Sequence, residues 1–288
     1  MSKKSDSTVI LLLSCPDRPG LVASIANFVH ERGGNIIHAD QHTDLEHGIF
    51  FQRVEFHAWS ETVDRNELAA AVAELAGKFG MQVRLAYSDE RPRIAVLVSR
   101  ESHCMYDLFA RWKSGELPAE IALVISNHPD HADAAEHFGI PYHHLPVTPD
   151  TRPAQEREIL RLLQAHDAEL VVLARYMQIL SPDFIARYPN RIINIHHSFL
   201  PAFVGSKPYH QAHERGVKII GATAHYATAI LDDGPIIAQD VIAIDHRDGV
   251  PNLVRKGRDL EKIVLARAVL AHLQHRVLVY GNRTVVFD

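Results

Sequence analysis

A chain of 288 residues, 47% hydrophobic and 23% charged, carries enough apolar material for two ordinary folded domains and argues against disorder. Its formal charge of −5, without a basic stripe, argues against nucleic acid as a partner, and no stretch reaches the roughly 20 apolar residues of a membrane span. The two cysteines, Cys15 and Cys104, fall in different predicted elements, so no disulfide framework is expected and a reducing cytoplasm is the expected compartment.

Lys3-Lys4 before the apolar run Val9–Leu13 has no cleavage site after it, and Pro16-Asp17-Arg18-Pro19 follows, so the run reads as a buried strand. A strand at 8–14 leads through the Asp17-Arg18-Pro19-Gly20 turn into a helix marked by Leu21, Ile25, Phe28 and Val29 at helical spacing. Gly33-Gly34 closes it. Strands at 35–43 and 48–58, a helix at 65–79 and a strand at 82–87 complete a βαββαβ order, the ferredoxin-like pattern, within residues 1–88.

Polar, proline-bearing residues 88–93 read as a linker to a second domain, 93–288. Strands are predicted at 94–99, 120–126, 142–145, 169–174 and 192–196, with helices near 103–113, 131–138, 153–165 and 181–188. Near-continuous apolar strands such as Ile94–Val98 are the kind that crossover helices bury on both faces, so an α/β, doubly wound, mostly parallel sheet is expected. Strands at 218–227 and 235–244, a helix at 252–274 and a hairpin through Gly281-Asn282 close the chain.

Chemistry concentrates at 191–201. In an extended strand Asn194 and His196 project from one face while Ile193 and Ile195 fill the other, and Pro201 ends the strand soon after. The carboxyl edge of a parallel sheet is where ligands bind. An amide donor, an imidazole that titrates near neutrality and a carboxylate from the turn Leu231-Asp232-Asp233-Gly234-Pro235 supply what attack on an acyl carbon requires. No G-x-S-x-G nucleophile elbow is present, which favours direct attack over an acyl-enzyme.

Asn194-x-His196 with Ser198-x-Leu200-Pro201, then Leu231-Asp232-x-Gly234-Pro235, resembles the signature of the folate-dependent formyltransferases, and Leu173–Pro182 resembles that family's folate-pocket segment. The resemblance implies catalytic Asn194, His196 and Asp232. It also implies substrate contacts at Tyr176, Met177, Ile179, Leu180, Gly205, His225 and Gly234. The first domain resembles an ACT module, a type that binds amino acids and dimerises. That likeness implies an effector site at Asp17, Pro19, Gly20 and Asn35, with glycine or methionine as candidate ligands, and a homo-oligomer. The two-module layout is similar to the formyltetrahydrofolate deformylase family, which implies hydrolysis of 10-formyltetrahydrofolate to formate, with no separate cofactor, serving purine synthesis and one-carbon balance.

Water rather than an amine is the expected nucleophile. The turn after the strand at 94–99 reads Ser99-Arg100-Glu101-Ser102-His103-Cys104-Met105, with no glycine to cradle a phosphate and an acid that repels one, although Arg100 leaves an anion contact open. A transferase to another amine and a non-catalytic folate- or amino-acid-binding regulator remain competing readings. Twenty histidines show no metal-ligand spacing, so no metal is expected, and His143-His144 at a strand end is a candidate substrate contact.

Overall fold

Alternating apolar residues and short turns shape residues 9–87 into β1 (Val9–Pro16), α1 (Leu21–His30), β2 (Asn35–Asp44), β3 (Ile49–His57), α2 (Arg65–Phe79) and β4 (Gln82–Tyr87). The computed structural model describes residues 7–58, 64–202 and 208–288. The four strands form one antiparallel sheet in the order β2-β3-β1-β4. On one face Leu11, Leu13 and Cys15 pack with Ile25, Phe28, Leu68 and Val72 of the two helices. Gly20 is the residue before α1 at φ 90, a left-handed conformation that suits glycine, and no side chain caps that helix. At α2, by contrast, the Asp64 carboxylate accepts from the Asn66 N–H at 2.8 Å.

Leu12 points to the opposite face and is fully buried. It is covered by Phe51 and by Phe287 from the chain's end, with Leu278, Tyr280 and Val285 packed around them. The first of two compact units is therefore residues 1–90 with 274–280 and 285–288, and the second is 91–273 with 281–284. A single cut at residues 88–93 misassigns this tail. A strand with apolar residues on both faces needs cover on both, and the first ninety residues supply only one layer.

In the second unit β5 (Arg93–Val98), α3 (His103–Lys113), β6 (Glu120–Ser126), α4 (Ala132–His137), β7 (Tyr142–His144), α5 (Arg152–Ala165) and β8 (Leu170–Leu173) alternate as expected. They are followed by α6 (Pro182–Arg187), β9 (Ile192–His196), α7 (Pro208–Arg215), β10 (Ile219–Tyr226), β11 (Ile236–Ala243) and α8 (Val250–Leu273). The short strands β12 (Val277–Tyr280) and β13 (Arg283–Val286) form the closing hairpin.

The seven-stranded sheet has the order β11-β10-β9-β8-β5-β6-β7, parallel from β9 to β7 and antiparallel at β10 and β11. Ile94–Val98 are fully buried, as expected for a central strand covered on both faces. From β5 the chain winds outward to β7, then crosses back to β8, so the order reverses between β5 and β8. Crevices form at the carboxyl end of such a switch point. There the loop after β8 is pinned: Ser99 N–H donates to Arg175 O at 3.3 Å, and Met177 N–H donates to Ser99 Oγ at 3.0 Å.

Candidate active site

The β9–β10 pairing sets Asn194 opposite His225 and His196 opposite Thr223. His225 is 2% exposed, and its Nδ1 lies 3.0 Å from Tyr226 O, an atom that can only accept. The proton is therefore on Nδ1, and Nε2 accepts from Asn194 Nδ2 at 3.1 Å. This contact fixes which way the carboxamide faces and leaves its second N–H for a ligand. His225 lines the pocket, but its clearest work is to orient Asn194.

Asp232 reaches the same point from the β10–β11 connection. Its Oδ1 lies 3.2 Å from His196 Nδ1 and 3.7 Å from His225 Nε2. The backbone at Asp232 is left-handed, φ 56, a conformation aspartate tolerates better than most residues. Burial raises the Asp232 carboxyl, but hydrogen bonding to His196 outweighs it and holds the group well below the usual carboxylate range. It is an anion at neutral pH. His196 Nε2 is buried with no hydrogen-bond partner among the described residues, so it is available to a bound molecule.

The sequence leaves Asp232 and Asp233 as neighbours, and the structure separates them. Asp233 is exposed, and its carbonyl accepts from Asn282 Nδ2 at 2.7 Å. Gly234 is required because a Cβ there would sit 1.7 Å from Tyr226 O. It is absent from the pocket lining, so its part is to let the turn close rather than to touch substrate. Gly205 lies outside the described residues.

These groups open into a cavity of about 680 Å³. One wall is apolar and solvent-facing: Met177 and Ile179 are each 56% exposed, Ile230 is 67% and Leu231 is 59%. Leu180 and Tyr176 close it further in, and burial pushes the Tyr176 phenol up to about 12. A slot of this size with an apolar wall beside a carboxylate, an imidazole and an amide suits a flat heteroaromatic ligand carrying a small acyl group. Among the sequence-predicted contacts, Tyr176, Met177, Ile179, Leu180 and His225 all line it.

A family model for formyl transferase matches residues 92–269, and one for the ACT domain matches residues 9–79. Formyltetrahydrofolate deformylase of Synechocystis is 58% identical over 280 residues, covering 97% of this chain and 98% of its own. The chain belongs to the formyltetrahydrofolate deformylase family. A crystal structure of a deformylase from Pseudomonas syringae superposes with a TM-score of 0.96 at 50% identity, covering 99% of this chain and 96% of that one. Glycinamide ribonucleotide transformylase 1 from Symbiobacterium toebii gives a TM-score of 0.65 at 33% identity and covers 69% of this chain.

This deformylase-family chain also brings into the cavity residues that spacing does not reveal. Glu261 of α8 is 1% exposed and accepts from Tyr209 OH at 2.7 Å, from His103 Nε2 at 2.9 Å, and has Arg175 Nε at 3.4 Å. Burial raises Glu261, and these cationic and hydroxyl neighbours hold it below the ordinary glutamate range. Arg175 also reaches His197, and Glu101 pairs with Arg258 at 2.5 Å. His103, Cys104 and Glu261 offer ligand atoms within 4.8 Å of one another, but a carboxylate already facing a guanidinium lacks the charge a divalent cation would need. His143 and His144 stand on β7, four strands from β9, and neither lines the cavity. His143 meets His166 instead, at 5.7 Å between rings.

In the ACT-type unit Asp17 and Gly20 line a shallow hollow with Gln41, Thr43 and Phe50. Pro19 and Asn35 do not. Antiparallel pairing sets Asn35 opposite His57 and Asp44 opposite Ile49, so Asn35 stands at the end of β2 remote from the turn, and Gln41 and Thr43 take the place expected of it.

Proposed function

We propose that this chain hydrolyses 10-formyltetrahydrofolate to tetrahydrofolate and formate, with water as the attacking group. The observation that carries the reading is the convergence of Asn194, His196 and Asp232 beside an apolar slot, in a chain of the deformylase family.

The pterin-bearing portion lies against Met177, Ile179 and Leu180, which places the formyl group beside His196. Asp232, anionic and oriented by His196, receives a proton from water as the oxygen of water bonds to the formyl carbon. The carbonyl oxygen turns negative and is met by Asn194 Nδ2–H and by His196 Nε2–H, with a protonated His196. When the C–N bond breaks, N10 takes the proton that Asp232 received from water and leaves as an amine, Asp232 returns to its anion, and the released formic acid ionises to formate. Amide hydrolysis of this kind needs no redox or group-carrying cofactor.

Water is favoured over an amine acceptor by the turn after β5. Glu101 stands there paired to Arg258, and no glycine-rich cradle offers backbone N–H groups to a phosphate. The ACT-type unit is read as a sensor for an amino acid, glycine or methionine, seated in the hollow at Asp17 and Gly20, and as the contact of a homo-oligomer. The mostly exposed edge strand β2, with Ile37 at 47% exposure, supports that contact. No helix among the described residues is long and apolar enough to cross a membrane. The chain is read as a cytoplasmic enzyme that feeds formate to purine synthesis.

The test is formate release from 10-formyltetrahydrofolate by purified protein with no amine present, with and without glycine and methionine. Turnover to formate and tetrahydrofolate is expected. Formate-free consumption only when an amine is supplied would make the chain a transferase, and binding without turnover would make it a regulator.

A further inference from the structure

We propose that His197 is a further catalytic residue, whose Nε2–H donates to the formyl oxygen as negative charge builds there, and that Arg175, anchored on Glu261, positions it. The proposal rests on the deformylation reading above and deepens it.

Three observations on geometry lead to it. His197 follows the last residue of β9, and its ring stacks on His196 with centroids 5.0 Å apart and planes 24° from parallel. Its Nδ1 lies 2.5 Å from Arg175 Nη1. A guanidinium has only donors, so Nδ1 must accept, and the neutral ring then carries its proton on Nε2. That Nε2 makes no hydrogen bond among the described residues, and His197 lines the cavity with Asn194 and His196. A donor of known tautomer is thus left in the cavity that Asn194 and His196 line, on the ring stacked against His196.

The anchoring is unusual enough to need a purpose. Arg175 sits at φ 65, in the left-handed region that a glycine would occupy without strain. Its carboxylate partner, Glu261, is 1% exposed and is held in place by Tyr209 and His103. A strained backbone and a buried ion pair together hold one guanidinium against one imidazole. The charged and titratable groups around that imidazole are Arg175, His196, Glu261, Asp232 and Tyr209. Burial first, then Arg175 and His196, lower His197 to about 4, so its ring is neutral at neutral pH. An uncharged neighbour spares the His196 imidazolium a like-charge repulsion at van der Waals range.

The experiment compares steady-state formate release and pH–rate profiles of the full chain with those of His197→Leu, His197→Gln and Arg175→Met. Wild-type turnover comes first, and its absence overturns the deformylation reading and this proposal with it. Given turnover, His197→Leu is expected to lose about 100-fold in kcat with KM little changed, the usual effect of removing one oxyanion donor. His197→Gln, which keeps an N–H at similar reach, is expected to retain activity within about tenfold of wild type. Arg175→Met is expected to lower kcat and move the acid limb of the profile to higher pH, because the cation that keeps His197 neutral is gone. If the leucine variant does not fold, His197→Asn, whose amide stops short, takes its place. The proposal is overturned by a leucine (or asparagine) variant within threefold of wild type, by equal losses in that variant and the glutamine variant, or by an unmoved acid limb in Arg175→Met.

Discussion

Replacing Asp232 by asparagine removes one negative charge and leaves shape and backbone nearly untouched. Asparagine is the other side chain that visits the left-handed region readily, so the φ of 56 at this position is kept at little cost. Alanine at the same site would add roughly 1–2 kcal/mol of backbone strain. What asparagine loses is the acceptor 3.2 Å from His196 Nδ1 and, on the proposed mechanism, the base that takes the proton of water. Base catalysis of this kind contributes about 10²–10⁴ in rate, which is about 2.7–5.4 kcal/mol at 1.36 kcal/mol per decade. The expected result for Asp232→Asn is therefore a kcat lowered by at least about 100-fold. KM should change little, because the apolar wall proposed to hold the pterin is intact. Formate release coupled to formate oxidation, followed as a continuous trace, measures both constants. A variant that keeps more than a fifth of wild-type kcat would refute the assignment of Asp232 as the base.

Gly234→Ala places a methyl group 1.7 Å from Tyr226 O, a backbone atom that cannot swing aside, so stability should fall by about 1–3 kcal/mol or more and turnover should fall with the displaced Asp232 turn; an unchanged melting temperature would show that the turn closes differently. Phe287→Ala empties the seal over Leu12 and Phe51, and the usual cost of about 3–5 kcal/mol should appear as faster amide exchange in β1 and β3; unaltered protection of those strands would count against the tail's role. His197 and His275 are both held neutral down to about 4 in the folded chain, burial being the main cause for each. The unfolded chain takes up protons in the ordinary histidine range, near pH 6.5, that the folded one refuses, so stability should decline as pH falls from about 6.5 to 4, by up to roughly 3 kcal/mol per group. Melts at pH 7 and 4.5 test this, and a higher melting temperature at the lower pH would contradict it.

The parts of the site carried by local pattern were readable from the chain. Asn194 and His196 alternate within an apolar strand, and Asp232 belongs to a turn whose Gly234-Pro235 marks it. Helix α7 was unreadable because Pro208–Arg215 is short and polar, with Ala212 its buried apolar residue. Yet α7 carries Tyr209, which reaches Glu261. Arg175, His197 and Glu261 come from β8's loop, β9's end and α8, and no spacing links them, because the sheet brings them together only after folding. Asn35, expected at the effector site because ACT sites often lie between that turn and a neighbouring subunit, stands within one chain at the end of β2 remote from the turn.

Phe287 has a consequence for biosynthesis. During translation the first ninety residues leave the ribosome long before residues 285–288, so Leu12 and Phe51 wait without their cover until the rest of the chain has been made. A nascent ACT-type module with a sticky open face invites chaperone capture, and a fragment expressed without the tail should be prone to self-association.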